Sequence, residues 1–406
     1  MTETTSSTVL YQLLIGLILI HKWHKMKSIE RQIQKDIIQD FFLGKIIVIL
    51  GARQVGKSTL MQAITKELNQ KMLWLDGENS DVHALFEQPD SQRLRDLVKD
   101  NKILVIDEAQ KIDKIGSILK LYADYHKDIQ VIASGSSAFE LKDKLNEPLT
   151  GRKFEYHLYP LSFSEMAEHH GMLTETRLLT KRMVYGYYPE IVTMPDNEER
   201  ILRFLSDSYL YKDIFLYKGL KRPEKILDLL RLLAWQIGSE VSYNELSNTL
   251  GIDNQTVETY IQFLEQTFIV YKLNAYNRNQ RNELKKTKKI YFNDLGIRNA
   301  LINDFRDVQI RSDIGSLFEN YVINEMRKQN DYLRKHAHLY FWRSADQREV
   351  DLILDKNGVL NAFEIKWSDT KKIRLTKSFT NLYPNHTFTP IHKGNYMDVL
   401  KLEMIS

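Results

Sequence analysis

Residues Gly51-Ala-Arg-Gln-Val-Gly-Lys-Ser58 follow the pattern G-x-x-x-x-G-K-[ST], whose chemistry is the cradling of a polyphosphate. The glycines let the backbone curl so that successive N–H groups and a following helix N-terminus face the phosphates. Lys57 then reaches the β/γ oxygens and Ser58 ligates Mg²⁺, while Gly51, Ala52, Arg53, Gln54, Val55, Gly56 and Thr59 complete the loop. This chemistry also needs carboxylates at a strand end. Ile103-Leu-Val-Ile106 delivers Asp107 and Glu108, the first to the magnesium shell and the second to polarise the attacking water. Ser134-Gly-Ser-Ser137 is either placed to sense the γ-phosphate, through Ser134 or Ser136, or is a serine-rich turn. No N-K-x-D guanine-reading element follows, so ATP with Mg²⁺ is the expected pair.

A second constellation lies near the C-terminus. Phe341-Trp-Arg343, Glu349-Val-Asp351 and Ala362-Phe-Glu364-Ile-Lys366 follow a helical segment bearing Glu319. Residues two apart on a strand share a face, so Glu364 and Lys366 point together, towards Asp351 on a neighbouring strand. Asp351 and Glu364 with Glu319 could hold a second Mg²⁺, and Lys366 could orient or deprotonate water, which is the equipment of phosphodiester hydrolysis. The same residues equally suit a binding relic without that activity.

Between these two, Glu224 to Ile237 reads as an amphipathic helix, Ser242-Tyr-Asn-Glu245 as a capping box opening a second, and Asp253 as the cap of a third running to Gln266. Strands at Ile269 to Leu273 and Lys289 to Phe292 flank a basic loop. The order predicts a winged helix, with the wing on DNA phosphates. Arg278, Arg281, Lys285, Lys286, Lys288 and Lys289 would carry a salt-sensitive affinity. The third helix offers Asn254, Gln255 and Thr259 beside Glu258 and Glu265 and no basic residue, which argues against sequence-specific readout. Such modules also contact proteins, so DNA and a protein partner both stand as readings.

These residues need elements to position them. Apolar runs at Ile46 to Leu50, Met72 to Leu75, Ile103 to Ile106 and Gln130 to Ala133 alternate with helical patterns, predicting an α/β domain with a parallel sheet. Residues 162–219 read as a helical lid broken at Gly186 to Pro189. The expected units are a nucleotide-binding core over 26–160, a lid over 161–220, a winged helix over 221–300 and an α/β nuclease-like domain over 301–406. A chain of 406 residues, 43% hydrophobic, has material for several cores. The absence of cysteine, with the nucleotide loop, favours a reducing cytoplasmic setting. A net charge of +4 is too small to make the whole molecule a nucleic-acid binder. Val9 to Ile20 is too short to span a bilayer and, with 1–25, is read either as a mis-assigned start before Met26 or as a surface anchor. From Lys27 to Gly44 an amphipathic lead-in helix is expected. Oligomeric state is left open.

Taken together, Gly51 to Ser58, Val105-Ile-Asp-Glu-Ala-Gln110, Ser134 to Ser137, Leu149-Thr-Gly-Arg152 with Tyr159-Pro-Leu-Ser-Phe163, and Tyr185-Gly-Tyr-Tyr-Pro189 resemble bacterial and archaeal AAA-type ATPases of the archaeal ATPase class, which carry a C-terminal restriction-endonuclease-like domain. The resemblance runs over nearly the whole chain from Met26. It implies a P-loop NTPase core and makes Arg152 a candidate sensor or finger for the γ-phosphate, where a fixed guanidinium would stabilise developing charge. The alternative for Arg152 is a structural salt bridge. The C-terminal residues resemble the PD-(D/E)xK nuclease superfamily, with Val350 where proline is frequent.

Overall fold

The computed structural model describes residues 29–136, 149–207, 222–277, 288–344, 346–369 and 373–405. Two sheets organise them. The first contains β1 (Ile46–Leu50), β2 (Met72–Asp76), β3 (Ile103–Asp107), β4 (Gln130–Gly135) and β5 (Lys153–His157), all parallel, in the order β2-β3-β4-β1-β5. β1, β3 and β4 are buried along their whole length, as apolar strands covered on both faces must be. Alternate residues feed two cores: Ile47, Ile49, Val105 and Ile132 pack on one side, and Val48, Leu50, Ile106 and Ala133 on the other. Helices α1 (Gln34–Gln39), α2 (Lys57–Leu68), α3 (Ser80–Leu85), α4 (Ser91–Val98) and α5 (Ile115–Tyr125) connect and cover the strands.

The expected lead-in helix is shorter than its pattern. Of its described part only Gln34–Gln39 is helical, and the chain leaves the helix before Phe42, which adopts φ of 59°. β5 has no counterpart in the expected strands. Its sequence, Lys-Phe-Glu-Tyr-His, alternates charged and aromatic residues, and Glu155 pairs with both Lys153 and His157 on one face.

Helices α6 (Phe163–His170), α7 (Met172–Arg177), α8 (Leu179–Tyr185), α9 (Pro189–Thr193) and α10 (Glu198–Leu205) lie in the segment expected to be helical. α6 opens with a complete capping box, Ser162 with Glu165. The break between α8 and α9 is a docking point, because Asp294 accepts a 2.7 Å hydrogen bond from the Tyr187 amide.

Then come α11 (Pro223–Trp235), β6 (Glu240–Val241), α12 (Tyr243–Leu250), α13 (Asn254–Gln266), β7 (Val270–Ala275) and β8 (Lys288–Phe292). Ser242 and Asp253 cap α12 and α13 as their sequence positions predict. After α14 (Leu295–Leu301) and the long α15 (Ile314–Tyr332) follow β9 (His338–Arg343), β10 (Glu349–Lys356), β11 (Val359–Lys366), α16 (Lys377–Leu382), β12 (His386–His392) and α17 (Tyr396–Ile405).

The expected division at residue 300 is not a structural boundary. β7 pairs in parallel with β9 through Asn274–Tyr340 and Ala275–Phe341, so one seven-stranded sheet, β12-β11-β10-β9-β7-β8-β6, runs through both expected units. Joining β7 to β9 removes two exposed strand edges at once. α15 is fastened to this sheet by Asn320, whose amide exchanges hydrogen bonds with the backbone N–H and carbonyl of Phe292. Among the described residues no helix is long and apolar enough to cross a membrane.

Candidate nucleotide site and C-terminal carboxylate cluster

β1 ends at Leu50 and feeds the glycine loop, which closes into α2 at Lys57. Gly51 is required by proximity: a Cβ there would lie 2.2 Å from the Leu158 carbonyl oxygen. Gly56 is required by conformation, at φ of 95°. Lys57 is 5% exposed, and its Nζ donates to the carbonyls of Gly51 (3.0 Å) and Ala52 (2.9 Å), folding back over the loop it serves. Gln54, Gly56, Lys57, Ser58, Thr59 and Glu108 line a cavity of about 800 Å³, with Pro189 and Met194 also in its wall, a volume suited to a small-molecule ligand.

β4 lies between β1 and β3, so Ser134 sits between the loop and Asp107. Ser134 Oγ donates to Asp107 Oδ1, and the Glu108 amide donates to both Asp107 Oδ1 and Ser134 Oγ at 3.1 Å. Glu108 adopts φ of 47°, an uncommon conformation for a side-chain-bearing residue. Its Oε2 accepts from Ser136 Oγ (3.2 Å) and from the Gln110 amide, which also donates to Ser136 (3.0 Å). Both serines are buried and hold carboxylates in place. Gln110 was absent from the expected site. Its signal was its position two residues beyond the carboxylate pair.

Arg152 is corrected by its position. It precedes β5 at the Ile46 end of β1, where its carbonyl accepts from the Ile46 amide, whereas the loop leaves from Leu50. Five residues of strand, about 16 Å, separate the two ends. Its guanidinium pairs with Asp124 at 2.6 Å, the salt-bridge alternative. Within one chain it does not reach the phosphate loop. Since such a partly exposed pair contributes little, Arg152→Ala should change ATP affinity by less than about threefold in an equilibrium titration.

Residues 43–167 match the family model of an AAA domain. This part of the chain is thus similar to AAA domains. Residues 176–308 and 314–397 match two domains of unknown function, DUF8612 and DUF4143. The chain is 25% identical over 381 residues to an uncharacterised protein of Haemophilus influenzae, covering 89% of this chain and 92% of that one. It is 25% identical over 345 residues to an uncharacterised protein of Mycobacterium tuberculosis, covering 81% and 71%. Among solved structures, the Thermotoga maritima RuvB Holliday junction branch migration motor is similar at 16% identity, over 63% of this chain and 95% of that chain, with a TM-score of 0.29.

In the second sheet, Glu319 of α15 and Glu349 and Asp351 of β10 bring carboxylate oxygens within 4.8 Å of one another. Asp351 is 3% exposed, and its Oδ2 accepts from the Ile365 amide (2.7 Å) and Lys366 Nζ (3.0 Å). Lys366 also reaches Glu364 at 2.9 Å, so β11 presents Glu364 and Lys366 on one face as strand alternation requires. Glu349 was not among the expected ligands, although its spacing of two from Asp351 carries that signal. Burial pushes Glu319 up to about 7 against the opposing pull of Lys289. Burial and the neighbouring Asp351 push Glu364 up to about 7.

Lys289 is the second correction. It is 1% exposed and pairs with Glu319 (3.1 Å) and with Glu349. Burial disfavours its ammonium, and Glu319 and Glu349 overcome this, holding it above the ordinary lysine range. A buried lysine committed to two carboxylates is unavailable to DNA phosphates. Lys288 stacks its ammonium 5.3 Å from the centre of the Tyr243 ring, while Arg278, Arg281, Lys285 and Lys286 lie outside the described residues. The all-oxygen set of Glu319, Glu349 and Asp351 is of the kind that takes a hard divalent cation, although in this structure the Lys289 ammonium is the counter-charge of two of the three.

Proposed function

We propose that this chain is a Mg-ATP-hydrolysing switch whose nucleotide state controls a C-terminal unit acting on DNA. The carrying observation is the convergence on one cavity of Lys57 and Ser58 with Glu108, itself held by Ser136, the residue that follows β4. Ser58 and Asp107 would hold Mg²⁺, which when bound neutralises phosphate charge. Lys57 exchanges the Gly51 and Ala52 carbonyls for β/γ oxygens. Glu108, with Oε2 engaged by Gln110 and Ser136, keeps Oε1 for the attacking water. The hydrolysis of ATP by the unaltered chain, lost in Lys57→Ala, is the direct test.

The DNA part rests on the order α11, α12, α13, β7, β8, which we read as a winged helix, and on the basic residues at 278–288. DNA should raise ATP turnover, and Lys285→Ala with Lys286→Ala should reduce that stimulation and its salt dependence. Turnover indifferent to DNA would favour the other class of partner, a protein recognised by a signalling or defence-type ATPase. We place either in the cytoplasm, where ATP is available.

A second reading adds metal-assisted phosphodiester cleavage, supported by the approach of Glu319, Glu349 and Asp351. Glu319, Glu349 and Asp351 would hold Mg²⁺, with Glu364 flanking them, and Lys366 would orient the water. Plasmid DNA with Mg²⁺ or Mn²⁺ should be nicked by the unaltered chain and left intact by Asp351→Ala. Intact plasmid in both lanes assigns the cluster to binding or structure instead.

A further inference from the structure

Arg31, ahead of α1, makes contacts that the ATPase chemistry does not use. It is 6% exposed. Its Nη1 donates to the Val55 carbonyl inside the phosphate loop at 2.8 Å, its Nε to Glu165 Oε1 at 2.9 Å, and its Nη2 to the Tyr159 carbonyl at 2.6 Å and the Tyr332 hydroxyl at 3.4 Å. Each nitrogen of the guanidinium donates within the protein, which makes the group a strut in the wall of the cavity that it helps to line. A planar fork with fixed geometry suits that task, and a lysine could not make the same set of bonds.

The far end of the strut is α15. Tyr332 closes that helix and also accepts from the Tyr159 amide at 3.0 Å. One turn and two turns earlier, Lys328 donates to the Leu161 carbonyl (2.8 Å) and Glu325 accepts from the Phe163 amide (2.7 Å). The Tyr159-Pro-Leu-Ser-Phe163 segment is therefore a clip for the C-terminal half of α15. Its N-terminal half carries Glu319 of the carboxylate cluster, thirteen residues and about 20 Å away along one continuous helix.

We propose that Arg31 is a positioning residue that couples the phosphate loop to α15, and through it to the carboxylate cluster. This rests on the reading of the loop as an ATP site. Occupation of the loop must release Lys57 from the Gly51 and Ala52 carbonyls and re-aim the backbone between them and Gly56. The Val55 carbonyl lies in that stretch, so its movement is felt at Arg31. Glu165 holds the guanidinium laterally, and the displacement passes to Tyr332.

The test uses the full chain, with hydrogen exchange of residues 314–332 followed with and without Mg-ATP and ATP affinity measured in parallel. In the unaltered protein, ATP should change exchange in α15. Tyr332→Phe removes one hydroxyl and none of the loop: ATP affinity should stay within about threefold, and the ATP-dependent change in α15 should disappear. Arg31→Lys should weaken ATP binding about tenfold, the size of one lost hydrogen bond, because Arg31 also braces the Val55 carbonyl of the loop, and abolish the change as well. If Arg31→Lys fails to fold, Tyr332→Phe carries the test alone. Retention of the full α15 response in Tyr332→Phe overturns the coupling. So does ATP binding by the unaltered chain with no response in α15, which leaves the ATPase reading standing. Absence of ATP binding altogether removes that reading first, and the coupling with it.

Discussion

Glu108→Gln is expected to slow ATP turnover by about 10²- to 10⁴-fold, the usual contribution of a positioned general base, while ATP still binds. The substitution keeps the volume of the side chain and removes its ability to take a proton. The loop, Lys57 and Ser58 are untouched, so the binding site persists. Glu108 is held in a left-handed conformation, and its Oε2 is fixed by Ser136 and Gln110. Such strain persists when surrounding bonds over-determine it, and here those bonds aim the carboxylate at the cavity. Steady-state hydrolysis beside a nucleotide-binding titration checks this. Unchanged turnover would mean that another group activates the water.

Lys289→Ala is expected to destabilise the C-terminal sheet by about 3–5 kcal/mol, the effect of stripping one partner from a buried ion pair. Two carboxylates, Glu319 and Glu349, lose their shared counter-charge, and Tyr291 remains as a neutral donor to Glu319. The loss depends on pH in a defined sense. A carboxyl with a raised folded pKa binds its proton more tightly when folded, so ionising it lowers stability as pH rises through that pKa. Glu319 already stands at about 7 with Lys289 present, and removing the lysine raises it further. The destabilisation should therefore be smaller below neutral pH than above it, as denaturant melts at several pH values will record. A wing lysine would behave oppositely, with stability unchanged and DNA affinity reduced.

That contrast marks where the sequence is legible and where it is not. The strand, glycine turn and helix at residues 46–68 and the strand ending in Asp107 were readable because their determinants are local, a short apolar run followed by glycines for one and by two acids for the other. β1 begins and ends at the expected residues. Lys289 was misread because a run of basic residues looks like a solvated loop, whereas β8 starts at Lys288 and alternation turns the next side chain inward. β5 escaped because alternating charged and aromatic residues at a sheet edge lack a continuous apolar signal.

The shared sheet was beyond reach for another reason. β7 and β9 pair across more than sixty intervening residues, and nothing in either strand names its partner. Arg31 is the extreme case. Its partners lie 24, 128, 134 and 301 residues along the chain, so no window of sequence contains the site it builds. Arg152 shows the converse, where a family resemblance suggested a role and strand register placed the residue at the wrong end of β1 for that role within one chain.

The most direct test of the account is a calorimetric titration of Mg-ATP into the full chain and into Lys57→Ala. One saturable site per chain is expected, weakened at least about tenfold in the variant, since a charge-assisted hydrogen bond of this kind contributes about 1.5–3 kcal/mol. Equal binding by both proteins, or none by either, would contradict the assignment of Gly51 to Ser58 as the nucleotide site.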